Sequence, residues 1–290
     1  MLKTKQFLGT FFILLSTIAY GIMPILSKLA YNEGMTSFNL LFSRFFIAAI
    51  MLWSYILLKK LPFKGNKNLI IYILFLSLIG YVGASSMLYM AYSYISPSLA
   101  TIIVFIHPIL IALYEVFILR FKINKIKIFS LILAILGLTL VVWPQQGVYV
   151  NTLGIILSLI AAIFYAYYAI ALGDKRTSAL PTVVVMTYVI STAAIANFIM
   201  CLITDTPLIP PNGNAFLYVI ILSIFCTVFS AITFYGGLKL IGPGTATIIS
   251  TFEPVVTCIT GFIVMGEVLT SNMIIGGTLI LLVILVLQRV

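Results

Sequence analysis

Four ionisable side chains lie deep inside apolar segments of this sequence: Arg44, His107, Glu115 and Glu253. A charged group near the centre of a bilayer costs about 2.5 kcal/mol or more, so each one needs a partner, a water-filled cavity or a function. His107 and Glu253 directly precede Pro108 and Pro254. A proline frees the carbonyl four residues before it and can kink the helix, so irregular backbone is expected beside both side chains.

These four residues differ in the roles that their surroundings suggest. Glu253 is an acid with no fixed cation nearby in the sequence, which favours a cavity-lining role in binding a proton or a cationic group of a substrate. His107 is the only histidine, and coupling to Glu253 or a neutral hydrogen bond between helices explains it equally well. For Arg44 a structural ion pair or carbonyl contact is favoured over substrate binding, and Glu115 can be neutralised locally by Arg120 or Lys122.

Hydroxyl side chains surround the same positions. Ser250, Glu253, Thr257 and Thr260 recur at spacings of three and four, which predicts one polar stripe facing water or substrate. The alternative is that the hydroxyls bond to neighbouring helices. Five tyrosines are candidates for an aromatic wall that suits cations and planar or apolar solutes, with packing as the alternative: Tyr20, Tyr89, Tyr165, Tyr168 and Tyr235.

The composition indicates how these residues are held. The 290 residues are 63% hydrophobic and 8% charged, far more apolar than a soluble domain. Apolar runs recur that are long enough to cross roughly 30 Å of hydrocarbon as helices. We therefore predict an all-α integral membrane protein with about ten transmembrane helices, over residues 7–30, 36–58, 69–92, 98–119, 126–143, 152–172, 181–203, 215–238, 244–265 and 270–287.

The net charge of +10 reflects membrane topology rather than nucleic-acid binding. Lysine and arginine fall on alternate predicted loops, with Lys28 as the exception. By the positive-inside rule these loops and both termini are cytoplasmic, as expected for a multi-pass protein of the plasma membrane. The basic loop residues are Lys3, Lys5, Lys59, Lys60, Lys64, Lys67, Arg120, Lys122, Lys125, Lys127, Lys175, Arg176, Lys239 and Arg289.

The sequence repeats itself at a shift of about 146 residues. Residues 95–103 align with 241–249, and the aligned pairs include Tyr89 with Tyr235, Pro108 with Pro254, Gly9 with Gly154, and Tyr20 with Tyr165. Residues 1–145 and 146–290 then hold five helices each. An odd number of crossings makes the second half enter from the other side, so we predict two inverted five-helix repeats, an architecture of secondary transporters.

Several motifs carry a resemblance to the EamA family of the drug/metabolite transporter superfamily. They are Tyr20-Gly21-Ile22-Met23-Pro24 with Lys28, Ser43-Arg44-Phe45, Gly242-Pro243-Gly244-Thr245-Ala246, Glu253-Pro254 and Gly266-Glu267. The resemblance implies a carrier whose central cavity is formed mainly by helices 1, 3, 4, 6, 8 and 9. We expect helix breaks at Pro24, Pro108 and Pro254. Residues 119–122 depart from the family, which often has Gly-Glu there.

We therefore predict a secondary-active transporter of a small metabolite, such as an amino acid or a related amphipathic or cationic solute. Export and proton coupling are both open, and the alternatives are a receptor or scaffold, or a flippase for a lipid-linked substrate. Membrane lipid and the solute are the expected partners, and no oligomeric state is predicted. A single histidine and no Walker-type loop argue against an enzyme, a metal site, a cofactor or an ATP-driven pump.

Three cysteines fall within predicted spans, where packing is favoured over a disulfide: Cys201, Cys226 and Cys258. Trp53 and Trp143 lie close to span ends and are expected to be interfacial anchors. Glu267 is expected at a helix end or a gating contact.

Overall fold

A computed structural model describes residues 2–63, 66–91, 94–95, 100, 103–120, 125–141, 151–265 and 271–287. Within these residues every regular element is helical, and we number the helices in chain order. The first five are α1 (Leu2–Asn32), α2 (Ser37–Leu58), α3 (Lys67–Leu76 and Gly83–Ala91, joined by the wide turns of Ser77–Val82), α4 (His107–Phe117) and α5 (Lys125–Val141).

The second five follow a gap after residue 141. They are α6 (Thr152–Leu172), α7 (Thr182–Ile203), α8 (Gly213–Ser223 and Ser230–Ile241, joined by Ile224–Phe229), α9 (Pro243–Ser250 and Glu253–Met265) and α10 (Ser271–Leu287). A short 3₁₀ turn, Lys175–Ala179, lies between α6 and α7.

Seven of these helices are long and apolar enough to cross a membrane: α1, α2, α3, α6, α7, α8 and α9. Their outer faces expose large apolar side chains such as Phe75 and Ile203, whereas Ser158, Thr187 and Asn197 are fully buried. Apolar outside and polar inside is the pattern of a protein surrounded by lipid. The chain is therefore a multi-pass membrane protein. The described parts of α4, α5 and α10 are shorter, and their crossing of the membrane stays a prediction.

Short polar side chains fix where several helices begin. Thr36, Asn66, Asn151 and Asn212 each accept a hydrogen bond from a backbone N–H in the first turn of α2, α3, α6 and α8. These donors would otherwise have no partner within the helix. Between α8 and α9 the chain turns at Gly242, whose φ of +78° is a conformation that glycine adopts readily.

Two helices widen at their centres. Ser77–Val82 in α3 and Ile224–Phe229 in α8 form π turns, which commonly occur at functional sites. A π turn shifts the register of the backbone hydrogen bonds. Side-chain hydroxyls donate hydrogen bonds to backbone carbonyls nearby: Ser77 Oγ donates to Ile73 O, and Thr227 Oγ1 donates to Leu222 O at 2.9 Å.

The two halves of the chain pack against each other rather than separately. The most extensive contacts join α2 to α7, α5 to α10, α1 to α8 and α3 to α6. Each of these pairs takes one helix from residues 1–145 and one from 146–290. The largest cluster of buried apolar side chains draws on α1, α2, α3, α6, α7, α8 and α9.

The bundle has two ends that differ in charge. The basic end contains residues 59–63 and 173–181, with Lys59, Lys60, Lys175 and Arg176; there Tyr72 Oη donates to Ala171 O at 3.2 Å. The guanidinium of Arg176 lies 4.1 Å above the Tyr72 ring and its hydrogen bonds hold the pKa of Asp174 below its ordinary value.

The opposite end contains loops 33–36 and 204–212. There Asn212 Nδ2 donates to Glu33 Oε2 at 2.9 Å, and Asn39 Nδ2 donates to Ile209 O at 3.3 Å. Helix α1 ends here, whereas α6 ends at the basic end, where Gly173 packs against Pro243. The helices α1 and α6 therefore run in opposite directions.

Candidate functional site

A cavity lies in the middle of the helix bundle. The volume open to the centre of a water molecule is about 110 Å³, enough for several waters or a small solute. Helices α1, α2, α3, α6, α8 and α9, together with the residues at the start of α4, contribute to its wall. The lining includes Tyr20, Met23, Pro24, Arg44, Tyr81, Ser85, Tyr89, His107, Tyr165, Tyr168, Phe234, Ser250 and Glu253.

Glu253 lines this cavity at a break in α9. The first segment ends at Ser250, Thr251 and Phe252 form a turn, and Glu253 begins the second segment. The residue that follows, Pro254, has no backbone N–H, and the positive end of the new helix favours a carboxylate. Among the described residues no side chain donates a hydrogen bond to the Glu253 carboxylate and no cation lies within 4.0 Å.

His107 occupies the matching position at the start of α4, with Pro108 next to it. Its Nδ1 lies 2.8 Å from Val104 O, and because a carbonyl only accepts, this nitrogen carries the hydrogen. The other ring nitrogen, Nε2, is buried and has no hydrogen-bond partner in the described part of the chain. The His107 ring therefore lines the cavity with Nδ1 held by the backbone of the preceding turn.

Arg44 enters the cavity wall from α2, and its side chain is 3% exposed. One guanidinium nitrogen, Nη1, donates to Tyr89 Oη at 3.2 Å and also contacts Met23 Sδ. The guanidinium carbon lies 4.4 Å from the centre of the Phe45 ring. The expected structural ion pair is not found among the described residues, since no carboxylate lies within 4.0 Å of this guanidinium.

Aromatic rings contact one another in a series that runs from Phe45, beside the Arg44 guanidinium, to His107. The ring centres are 5.6 Å apart from Phe45 to Tyr81 and 5.2 Å from Tyr81 to Tyr168. They are 6.2 Å apart from Tyr168 to Tyr165 and 4.5 Å from Tyr165 to His107. Tilted contacts at these distances are favourable for aromatic pairs. The rings from Tyr81 to His107 line the cavity and form its aromatic wall.

Tyr81 belongs to this wall and was missed by the sequence reasoning. It lies in the π turn of α3, next to Gly80, where an added Cβ would lie 2.7 Å from Tyr168 Cβ. The close approach of α3 and α6 at this glycine brings the two tyrosines together. The residue at the matching position of α8 is not a tyrosine, so a search for repeated pairs could not find it. The adjacent glycine is the signal that could have.

Tyr20, Tyr89 and Ser250 line the cavity, as the sequence led us to expect of them. Tyr89 Oη also lies 3.3 Å from Ser27 Oγ on α1. Ser250 Oγ donates to Ala246 O at 3.0 Å within its own helix. Because the Ser250 hydroxyl is engaged within its own helix, the tyrosines contribute more of the cavity surface than it does.

Two of the predicted lining residues lie elsewhere. Tyr235 is fully buried beneath Lys239, whose Nζ is 5.2 Å from the ring centre, because its segment of α8 packs closely on α1. Thr257 Oγ1 donates to Gly21 O at 2.8 Å and so bonds α9 to α1. The Thr257 hydroxyl therefore forms a hydrogen bond to a neighbouring helix, which was the alternative to its facing water or substrate.

Pro24 does not break its helix. The range Leu2–Asn32 is a single helix with Pro24 inside it. Neighbouring helices can satisfy the backbone groups that a proline frees in a membrane, so an interruption is not required. Pro24 instead contributes its ring to the cavity wall.

Gly21 fixes the distance between α1 and Glu253. An added Cβ at Gly21 would lie 2.6 Å from Val256 Cβ and 2.9 Å from Glu253 O. No side chain larger than glycine fits there without moving α9. The position of Glu253 therefore depends directly on this contact.

Several residues of interest lie outside the described residues: Gly266, Glu267, Trp143 and the side chain of Glu115. Trp53 is described, and its Nε1 donates to Ser191 Oγ at 2.9 Å, which joins α2 to α7. Cys201 and Cys226 are free thiols. In the described part of the chain no three His, Cys, Asp or Glu side chains are grouped as metal ligands would be.

These features define a multi-pass membrane protein with a central cavity lined by charged and aromatic side chains. The sequence profile of the EamA-like transporter family matches residues 7–143 and again residues 152–289. The chain belongs to this family, within the drug/metabolite transporter superfamily, and is a membrane transporter.

Its curated relatives carry similar descriptions. An uncharacterized transporter of Clostridium kluyveri is 26% identical over 94% of this chain and 91% of its own length. The uncharacterized transporter YyaM of Bacillus subtilis is 25% identical over 75% of this chain and 72% of its own. A protein of known crystal structure resembles the chain with a TM-score of 0.82 at 18% identity, covering 97% of both chains, and this shows the fold.

Proposed function

We propose that this protein is a secondary-active transporter that moves a small amphipathic or cationic metabolite across the plasma membrane by alternating access. The observation that carries the proposal is the central cavity, where Glu253 lies at a helix break and its carboxylate has no hydrogen-bond or ion-pair partner among the described residues. Burying an ionisable group inside a membrane-spanning segment costs free energy, and such groups commonly mark the path of a substrate or an ion. Broken helices at the bilayer midplane are where transporters commonly bind their substrates.

The proposed scaffold is two inverted five-helix repeats, residues 1–145 and 146–290. Three observations support it. The family profile matches the chain twice. Helices α1 and α6 run in opposite directions. A twofold rotation that places α1 on α6 and α8 on α3 also turns the α1–α8 contact into the α6–α3 contact, and both contacts are extensive. Such a pair of halves can rock about a fixed site.

Matching glycine contacts lie near the two ends of the bundle. At the basic end an added Cβ on Gly9 would lie 2.5 Å from Ile241 Cγ2; at the opposite end one on Gly154 would lie 2.7 Å from Ile95 Cγ2. Gly9 and Gly154, and likewise Ile95 and Ile241, are the aligned residues of the repeat. In our proposal these contacts act as two gates, of which one must separate to admit substrate from its side.

The basic end is proposed to face the cytoplasm. Lysine and arginine are enriched in cytoplasmic loops, and Lys59, Lys60, Lys175 and Arg176 lie at this end. Helix α1 begins there, which would place the N-terminus in the cytoplasm. In this orientation the gate at Gly9 opens inward and the gate at Gly154 opens outward.

Transport by the purified protein in liposomes tests the proposal. We expect at least one solute of a broad panel of amines, amino acids and organic cations to enter with a saturable rate that empty liposomes lack. Absence of saturable flux across the panel would favour a receptor or scaffold instead. Movement of a lipid-linked probe between leaflets without solute flux would favour a flippase.

A further inference from the structure

The centre of the cavity is lined by residues from both halves of the chain. Three aligned pairs of the repeat contribute both of their members to its wall: Tyr20 with Tyr165, Leu88 with Phe234, and His107 with Glu253. The two halves of the chain therefore meet at the centre of the cavity.

A further part of the wall comes from the first half without its counterpart in the second. It consists of five residues whose aligned partners do not line the cavity: Tyr81, Ala84, Ser85, Tyr89 and Phe105. The five partners are all buried, and none is more than 4% exposed: Thr227, Ser230, Ala231, Tyr235 and Thr251. The cavity is therefore one-sided with respect to the repeat.

The unmatched part of the wall lies toward the opposite end of the bundle. Helix α3 begins at the basic end, and Tyr89 lies near its last residue. Helix α2 begins at the opposite end, and Arg44 lies close to its start. Toward the basic end the helices pack closely, since an added Cβ at Gly237 would lie 2.7 Å from Gly9 O. The cavity thus extends from the centre toward the opposite end.

The five buried partners are rich in hydroxyl groups. Three of the hydroxyls donate to a backbone carbonyl of their own helix and keep the capacity to accept a further hydrogen bond: Thr227, Ser230 and Thr251. Tyr235 Oη is buried with no hydrogen-bond partner among the described residues. An unpartnered hydroxyl in a buried site is costly, and a conformation that gives it a partner removes that cost.

We infer that these five buried partners line a second cavity, which extends toward the basic end and forms when the protein closes at the opposite end. The inference rests on the proposed alternating-access function and names the residues of its other conformation. Two inverted halves can exchange their conformations, so that each residue takes the surroundings of its aligned partner. Val189 and Ile190 align with Arg44, so the second cavity offers hydroxyl groups where the first offers a guanidinium.

The reaction of single cysteines with N-ethylmaleimide tests the inference. Ala231→Cys reports on the second cavity, and Ser85→Cys, at its aligned partner, reports on the present one. Each is placed in a protein without native cysteines, with a disulfide across either the gate at Gly9 or the gate at Gly154. The rate of modification is measured for each purified protein, and the protein unfolded in detergent defines complete reaction.

The two disulfides are expected to have opposite effects on the two reporters. With the gate at Gly154 bridged, Ala231→Cys should react at least about tenfold faster than with the gate at Gly9 bridged, because a buried thiol reacts only in conformations that expose it. Ser85→Cys should show the reverse order. Equal rates for Ala231→Cys under the two disulfides would overturn the inference.

Two further variants guard against misfolding. Ala193→Cys makes the same substitution at a fully buried site of α7 that does not line the cavity, and it should stay unreactive under both disulfides. Ser230→Cys is a second reporter of the second cavity and should follow Ala231→Cys. If Ala231→Cys fails to fold, equal rates for Ser230→Cys would overturn the inference in its place.

The labelling needs no known solute, so this inference and the proposed function can fail separately. Saturable flux together with equal rates for Ala231→Cys would overturn the second cavity and leave the transporter proposal standing. The expected change of rates without saturable flux of any solute would support the second cavity and overturn the transporter proposal, in favour of a receptor that changes conformation.

Discussion

Replacement of Glu253 by glutamine is expected to lower saturable flux at least about tenfold, the loss that follows removal of a charged partner from a buried binding group. Glutamine keeps the size of the side chain and its place at the start of the second segment of α9, and it removes only the charge. The measurement is the initial rate of solute entry into liposomes, with and without an imposed pH gradient.

The control for this change is Asp174→Asn, which also converts an acid to its amide. Asp174 lies in the loop before α7, hydrogen-bonded to Arg176, and not in the cavity wall. Its flux should match the wild-type value. If the Glu253→Gln variant transports at the wild-type rate, the role assigned to the carboxylate is wrong. If exchange survives and only the response to the pH gradient is lost, Glu253 is a coupling site.

Locking either gate is expected to stop transport. Gly9→Cys with Ile241→Cys, or Gly154→Cys with Ile95→Cys, places two Cβ atoms within about 4 Å, a separation that a disulfide spans. The oxidised protein should lose nearly all flux, because the side that is bridged can no longer open. Flux is measured before and after reduction, in a background where Cys201, Cys226 and Cys258 are replaced by alanine.

Each locked protein should still bind substrate from the side that remains free. Thermal-shift binding therefore separates a closed gate from a misfolded protein, and the four single-cysteine variants control for the substitutions themselves. If the protein transports equally fast with its disulfide fully formed and after the disulfide has been reduced, the gating role of that contact is contradicted.

Two ionisable residues that line the cavity could be located from the sequence because prolines mark them. His107 and Glu253 were singled out by their place before aligned prolines, and both begin a helical segment in the structure. A proline acts on the backbone beside it, so its effect is readable locally. The seven long apolar helices were predictable for a similar reason, since each carries its own length and composition.

Features that depend on packing between helices were not predictable. For Arg44 a structural ion pair or a carbonyl contact was expected, whereas its surroundings are Phe45, Tyr89 and Met23, which come together only when α1, α2 and α3 pack. Tyr81 reaches the cavity through a π turn and the close contact at Gly80. The surroundings of Arg44 have no signal in a single segment, and for Tyr81 the only local signal is the adjacent Gly80.

Symmetry also misled in places where the halves differ. Tyr235 aligns with Tyr89, but the residues that align with Arg44 are Val189 and Ile190, both buried and apolar. Tyr235 packs against α1 beneath Lys239 and does not line the cavity. The repeat is informative about the scaffold, and its side chains differ where the cavity has its chemistry.

Trans-stimulation in liposomes tests alternating access at this cavity most directly. Liposomes containing the purified protein are loaded with labelled substrate, and efflux is followed with and without unlabelled substrate outside. The account predicts that external substrate accelerates the efflux of the label and that the acceleration disappears when either gate is cross-linked. Efflux that does not saturate and does not respond to external substrate would contradict a carrier with one site exposed to each side in turn.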